Sequence, residues 1–189
     1  METHEGTVGA GGRGGIATRL VLARCRLLAL DVDGVLTDGR VTYVGGEESQ
    51  SFHVRDGQGL VWLARDGIEI AWISGRGSRA TQLRAQELGV QCLCLHVRDK
   101  AKALLKIQAD RRITREETVA MGDDLVDLGL AAQAALFAAP ADAHELVRAR
   151  AAVVTRASGG AGAVRELCEE ILAARGRWDE IVERTRGER

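Results

Sequence analysis

Residues 27–30, Leu-Leu-Ala-Leu, run straight into Asp31-Val32-Asp33-Gly34-Val35-Leu36-Thr37-Asp38-Gly39. A short, continuous apolar run reads as a strand covered on both faces, the kind found in parallel sheets. Two carboxylates at i and i+2, met at once by a glycine, then fall at the carboxyl end of that strand. Open α/β sheets hold their ligands along that edge. Three later segments place polar groups at the ends of further apolar runs: Ile73-Ser74-Gly75-Arg76, Lys100, and Gly122-Asp123-Asp124-Leu125-Val126-Asp127. Each alone reads as an ordinary turn, a solvated helix start or an N-cap. The four together, in this order, supply the parts of a phosphoryl-transfer site.

The rest of the chain keeps the alternation of strand and helix. After the first strand at 27–31, apolar runs predict strands at 68–73, 91–95, 118–121, 135–138 and 151–154. Between and after them, helical spacing predicts helices at 56–65, 78–88, 99–109, 125–132, 143–149 and 161–174. Asp56 is placed to cap the first of these, Gly67 and Gly89 to end two of them, and Thr114 with Glu117 to form a capping box. Residues 40–44 and 49–53 alternate polar with apolar around Gly45-Gly46, a β-hairpin signal that interrupts the rhythm. The expected fold is therefore α/β: a Rossmann-like, three-layer α/β/α parallel sheet with a hairpin flap beside the strand ends. Residues 1–24 read as a disordered Gly-rich segment, 25–175 as one domain and 176–189 as a charged tail.

Composition narrows the function. Lys and Arg number 26 against 27 Asp and Glu, which leaves no basic excess for nucleic acid. No apolar stretch approaches the roughly 20 residues that span a bilayer, and no signal-peptide core precedes a cleavage site, so a cytoplasmic location is expected. Cys25, Cys92, Cys94 and Cys168 lack C-x-x-C spacing and read as reduced thiols. Cys92, Cys94 and His96 alternate along one strand face, where packing is a better reading than a soft-metal site.

The chemistry follows from the carboxylates. An Asp31 nucleophile attacking phosphorus forms an aspartyl-phosphate and divides one displacement into two. An anion attacking a phosphate needs a hard divalent cation with oxygen ligands, and Asp31 and Asp123 are placed to hold Mg²⁺. Asp33 is placed to protonate the leaving alkoxide and then to deprotonate water. Lys100 supplies a fixed positive charge for the phosphoryl oxygens, and Ser74 a hydrogen bond to them. Asp124 and Asp127 read as supporting acids, with a surface position on the helix left open for Asp127. A calcium loop is disfavoured, because Val35 stands where an EF-hand wants Asp or Asn.

These four segments resemble the motifs of the haloacid dehalogenase phosphatases. Phe52-His53-Val54-Arg55-Asp56-Gly57 and Ser158-Gly159-Gly160-Ala161-Gly162-Ala163-Val164-Arg165-Glu166 are similar to those of its capless subgroup. That subgroup contains 3-deoxy-D-manno-octulosonate (KDO) 8-phosphate phosphatases, nonulosonate 9-phosphate relatives and a domain attached to some sialic-acid cytidylyltransferases. The resemblance implies a Mg²⁺-dependent phosphoric monoester hydrolase without a cap domain, acting on KDO 8-phosphate in surface polysaccharide synthesis. It implies Mg²⁺ held by Asp31, Asp123 and the main-chain carbonyl of Asp33. It also implies a substrate pocket of Arg55, Asp56, Gly57, Gly75, Arg76, Arg84 and Lys100, and a homotetramer built around the hairpin. Val61 stands where the family has Lys or Arg, Ala161 where it has Arg, and His53 where Asn is frequent. A related nonulosonate phosphatase and a weakly catalytic oligomerisation module are the alternatives.

Overall fold

The structure, a computed structural model, describes residues 15–187. Its framework is a six-stranded, all-parallel sheet ordered β5-β4-β1-β6-β7-β8. The strands are β1 (Leu27–Leu30), β4 (Glu69–Ile73), β5 (Cys92–Cys94), β6 (Thr118–Met121), β7 (Leu136–Ala139) and β8 (Val153–Val154). Leu28 and Leu30 face one helical layer, while Leu27 and Ala29 face the other. The alternation of side chains along a strand thus divides one apolar run between two cores.

The first core lies under α1 (Ile16–Ala23), α2 (Val54–Arg65) and α7 (Ala163–Ala174). The second lies under α4 (Lys100–Arg111), α5 (Leu128–Gln133) and α6 (Glu145–Arg150). The helix α3 (Arg79–Glu87) follows β4, with Ser78 capping it by accepting the Thr81 N–H. The hairpin pairs β2 (Thr42–Val44) with β3 (Glu47–Ser49) as a separate two-stranded sheet beyond β1.

The sequence-based boundaries hold for the strands and helices of the six-stranded sheet to within a few residues, and the capping box of Thr114 and Glu117 is present. The second hairpin strand, expected at 49–53, instead lies at Glu47–Ser49, because the turn is the tight Gly45-Gly46 pair. The ends of the chain differ. Residues 16–23 form α1 within the stretch read as disordered, and Leu22 buries against the first core; residues 1–14 lie outside the described residues. The expected charged tail contains α8 (Trp178–Gly187), whose Ile181 is buried. Trp178 meets the edge of Trp62 at 5.7 Å, and the Arg165 guanidinium lies 4.1 Å over the Trp62 ring. Trp178, Ile181 and Val182 stand at i, i+3, i+4, but one such turn among charges is too short a stripe to announce a helix, and the Trp62 surface that receives Trp178 comes from α2.

Asp56 is a second correction. His53 occupies the N-cap position of α2, and Asp56 sits in the first turn, fully buried. Its carboxylate accepts the backbone N–H of Gly162 at 3.3 Å and of Arg165 at 2.7 Å, so it caps α7 instead. The tie joins two segments more than a hundred residues apart and satisfies helix donors that would otherwise be orphaned.

The Gly159-Gly160 turn before α7 packs directly on the loop after β1. Gly160 donates its N–H to the Val35 carbonyl at 3.0 Å, and a Cβ on Gly159 would stand 1.8 Å from the Gly34 carbonyl oxygen. Backbone cannot yield there as a flexible side chain could. Gly159→Ala is expected to cost about 1–3 kcal/mol, which lowers the melting temperature by roughly 2–10 °C. An unchanged thermal unfolding curve would contradict this close approach.

Candidate active site

At the centre of the sheet β4, β1 and β6 lie side by side, with Leu30 opposite Trp72 on one flank and Met121 on the other. Parallel strands in register end at one edge, so Asp31, Ser74 and Asp123 converge from positions far apart in sequence. Lys100 enters from the first turn of α4, which Asp99 caps by accepting the Lys102 N–H. Its Nζ lies 2.5 Å from Asp31 Oδ1 and 2.5 Å from Asp127 Oδ1, and all three side chains are buried. Asp127 is thus no surface residue. Its other oxygen accepts the N–H groups of Asp123 at 2.9 Å and Asp124 at 3.1 Å, fixing the turn after β6. Asp124 and Asp127 form a capping box in the structure, which the sequence reading had not assigned to that pair.

Two glycines let these groups approach. A Cβ on Gly34 would stand 2.1 Å from Asp123 Oδ2, and one on Gly122 would stand 2.2 Å from the Asp127 Cβ. Gly34 also takes φ +92°, which favours glycine.

Asp33 is held from two sides. The Ser74 hydroxyl donates to its Oδ2 at 3.1 Å, and Gln50 Nε2 donates to its Oδ1 at 2.8 Å. Gln50, just beyond β3, carried no motif and was not singled out from the sequence. Ser74 Oγ in turn accepts the Arg76 N–H at 3.0 Å. The Arg76 guanidinium pairs with Glu48 of the hairpin at 2.8 Å, and Glu48 Oε1 is buried without a hydrogen-bond partner. Arg84 pairs with Glu87 at 2.8 Å and lies against Gly57. Arg55 and Gly75 are exposed, whereas Asp56 is engaged with α7 as described above. Cys92, Cys94 and His96 form no metal-binding group among the described residues, and His96 lies against Gly77.

Electrostatics at this edge are unbalanced. Burial and then the negative charge of Asp127 raise the Asp31 carboxyl well above its ordinary value, with Lys100 opposing. Burial and Asp127 also raise Asp123, from 3.8 to about 7. Burial disfavours the Lys100 ammonium, yet Asp31 and Asp127 together hold its proton more tightly than usual. One lysine thus faces three clustered carboxylates, with Asp33 beside them. Oxygens of Asp31, Asp123 and Asp127 all lie within 4.8 Å of one another. Both Asp127 oxygens already accept hydrogen bonds, and Asp123 Oδ1 is buried without a partner. An oxygen-rich, over-negative pocket with an unpartnered carboxylate oxygen suits a hard divalent cation such as Mg²⁺, held by Asp31 and Asp123.

An aspartate at the end of the central strand, a lysine bonded to it and an acid pair suited to Mg²⁺ are the groups that phosphoryl transfer calls for, gathered on an α/β sheet. The family model for haloacid dehalogenase-like hydrolases matches residues 96–167. The chain is 44% identical to the KDO 8-phosphate phosphatase of Yersinia pestis over 154 residues, 80% of this chain and 82% of the relative. The Escherichia coli enzyme of that name is 43% identical over 157 residues, 82% of this chain and 83% of the relative. Among solved structures, the Moraxella catarrhalis KDO 8-phosphate phosphatase superposes with a TM-score of 0.86 at 36% identity, covering 88% of this chain and 97% of that one. That structure contains a magnesium ion, a phosphate ion and a KDO molecule. The cobalt-bound Haemophilus influenzae phosphatase superposes with a TM-score of 0.81 at 37% identity, covering 84% and 93%. The chain belongs to the KDO 8-phosphate phosphatase family of the haloacid dehalogenase-like hydrolases.

The acid cluster has a measurable consequence for stability. Because folding raises the Asp123 carboxyl, its contribution to stability is fully present below 3.8 and is lost as pH rises through about 7. Asp123→Asn removes a buried charge and is expected to raise the melting temperature at pH 8 in EDTA. Mg²⁺ is expected to raise the melting temperature of the wild type and not of this variant. Calorimetry with and without Mg²⁺ checks both expectations.

Proposed function

We infer that the protein hydrolyses KDO 8-phosphate to KDO and inorganic phosphate. Asp31 at the end of the central strand, bonded to a buried Lys100 and set beside Asp123, is the observation that carries this reading. The family's likeness across most of the chain supports the substrate.

We assign the residues as follows. An Asp31 oxygen attacks the phosphorus, and the bond from phosphorus to the sugar oxygen breaks. Asp33 gives its proton to the departing alkoxide and, in the second step, takes a proton from water as that water attacks the aspartyl-phosphate. Inorganic phosphate leaves and Asp31 is regenerated. Lys100 neutralises charge on the phosphoryl oxygens, and its bond to Asp127 keeps it aimed at Asp31. Ser74 orients Asp33 by giving it its one hydroxyl proton. Mg²⁺, held by Asp31, Asp123 and the main-chain carbonyl of Asp33, supplies the positive charge that lets a carboxylate meet a phosphate. Donors fixed before reaction matter most, because phosphoryl transfer is chiefly positioning and charge stabilisation. Arg55, Arg76 and Arg84, with Gly57 and Gly75, are assigned to the sugar acid, whose carboxylate suits a bidentate guanidinium; Arg76 and Arg84 would exchange their bonds to Glu48 and Glu87 for it.

Val61, half-buried, and Ala161, exposed, carry no charge where the family usually has a cation, which weakens the assignment to KDO 8-phosphate without touching the carboxylates. A phosphatase for a related nonulosonate 9-phosphate or another small sugar phosphate is the alternative. A purely scaffolding role is disfavoured, because a scaffold has no use for a buried Lys100 among three carboxylates.

We further propose a cytoplasmic homotetramer assembled through the hairpin. Val41, Tyr43 and Val44 are large apolar side chains exposed on or beside that hairpin, and burying them against copies of the chain would remove them from water. Free thiols at all four cysteines suit a reducing compartment. Among the described residues, no helix is long and apolar enough to cross a membrane.

Phosphate release from KDO 8-phosphate, nonulosonate 9-phosphates and hexose phosphates is expected to favour KDO 8-phosphate. EDTA should abolish turnover and Mg²⁺ restore it. Asp31→Asn should lower kcat about a thousandfold or more; turnover near the wild-type rate would overturn the nucleophile. Light scattering is expected to give four times the chain mass, and a monomer at micromolar concentration would refute the tetramer.

A further inference from the structure

We propose that Gln50 is a positioning residue that aims Asp33 at the reacting oxygen, a role that rests on the phosphatase reading above. The side chain is half-buried between the hairpin and the start of α3, and every polar atom of its amide is engaged. Its Nε2 donates to Asp33 Oδ1 at 2.8 Å. Its Oε1 accepts the Ser78 hydroxyl at 2.5 Å and the Thr81 hydroxyl at 2.6 Å. Ser78 and Thr81 are themselves buried, and Ser78 is fixed as the N-cap of α3 through the Thr81 N–H.

The ionised Asp33 carboxylate favours this orientation of the amide. Turned over, the amide would set its carbonyl oxygen against a carboxylate oxygen and turn its NH₂ toward the two hydroxyls. The hydroxyls could accept as well as donate, so the orientation is selected by the Asp33 carboxylate, which as an ion only accepts. Ser74 holds the second Asp33 oxygen at 3.1 Å, so the carboxylate is gripped by neutral donors on both sides. A general acid–base group contributes only when its proton lies within hydrogen-bond reach of the reacting atom, and side-chain rotation about χ1 and χ2 would remove it from that reach. The hairpin therefore does more than stand beside the active edge. Through Gln50 it joins the start of α3 to the loop after β1 and sets the direction of the Asp33 carboxylate.

The test compares wild type, Gln50→Met, Thr81→Val and the double variant, all loaded with Mg²⁺ and assayed on KDO 8-phosphate. Methionine keeps the volume and removes both ends of the hydrogen-bond chain. Gln50→Met is expected to lower kcat by about tenfold or more while KM stays within about twofold. Thr81→Val is expected to lower kcat in the wild-type background and to have no further effect in Gln50→Met, because its hydroxyl acts through the amide. Circular dichroism and the Mg²⁺-induced melting shift show that each variant is folded and binds metal. Unchanged kcat in Gln50→Met, a loss confined to KM, or equal Thr81→Val effects in both backgrounds would each overturn the proposal. A wild type that releases no phosphate from any substrate would instead overturn the phosphatase reading.

Discussion

The interaction on which the rest depends is the pair of bonds from Lys100 to Asp31 and Asp127. Buried carboxylates repel one another and lose hydration, and both effects raise Asp31 and Asp123 above the ordinary range. One ammonium cannot neutralise such a cluster. The fold therefore holds a site with more negative charge than it can balance internally, an arrangement suited to a divalent cation and a phosphate. Removing either partner of a buried ion pair leaves an uncompensated charge, so Lys100 also contributes to the integrity of the sheet edge.

Close backbone approach makes the cluster possible. Gly34 leaves room for the Asp123 carboxylate, Gly122 for Asp127, and Gly159 for the Gly34 carbonyl. These contacts link the loops after β1 and β6 to the turn before α7, whose amino end is capped by the buried Asp56 of α2. Parts of the molecule that read as separate motifs are thus one packed unit. Gly159 and Gly160 pack on the backbone of the loop that carries Asp31 and Asp33, and the Asp56 carboxylate holds the helix that follows them.

Much of this was legible in advance. Apolar runs of four to six residues gave the positions and the parallel direction of all six strands, though not their order in the sheet, and the acids and glycines at their ends marked the active edge. The missed elements share a cause. The α8 stripe of Trp178 and Ile181 has meaning only opposite Trp62, and Leu22 of α1 only against the first core. Asp56 looked like a local cap because a capping residue three positions into a helix can serve a neighbour only when the chain returns to it. Gln50 carried no signal at all, since an amide near a hairpin is unremarkable until Asp33, Ser78 and Thr81 surround it.

The sequence by itself determined the α/β class, the doubly covered sheet and the identity of the chemical groups, because hydrophobic periodicity and strand-end carboxylates are local properties of the chain. The tertiary structure alone decided how those groups are joined: Asp127 buried on Lys100, Asp56 turned to α7, and Asp33 held between Ser74 and Gln50. Each of these is a contact between residues distant in sequence, and its geometry depends on the packing of the two cores on either side of the sheet.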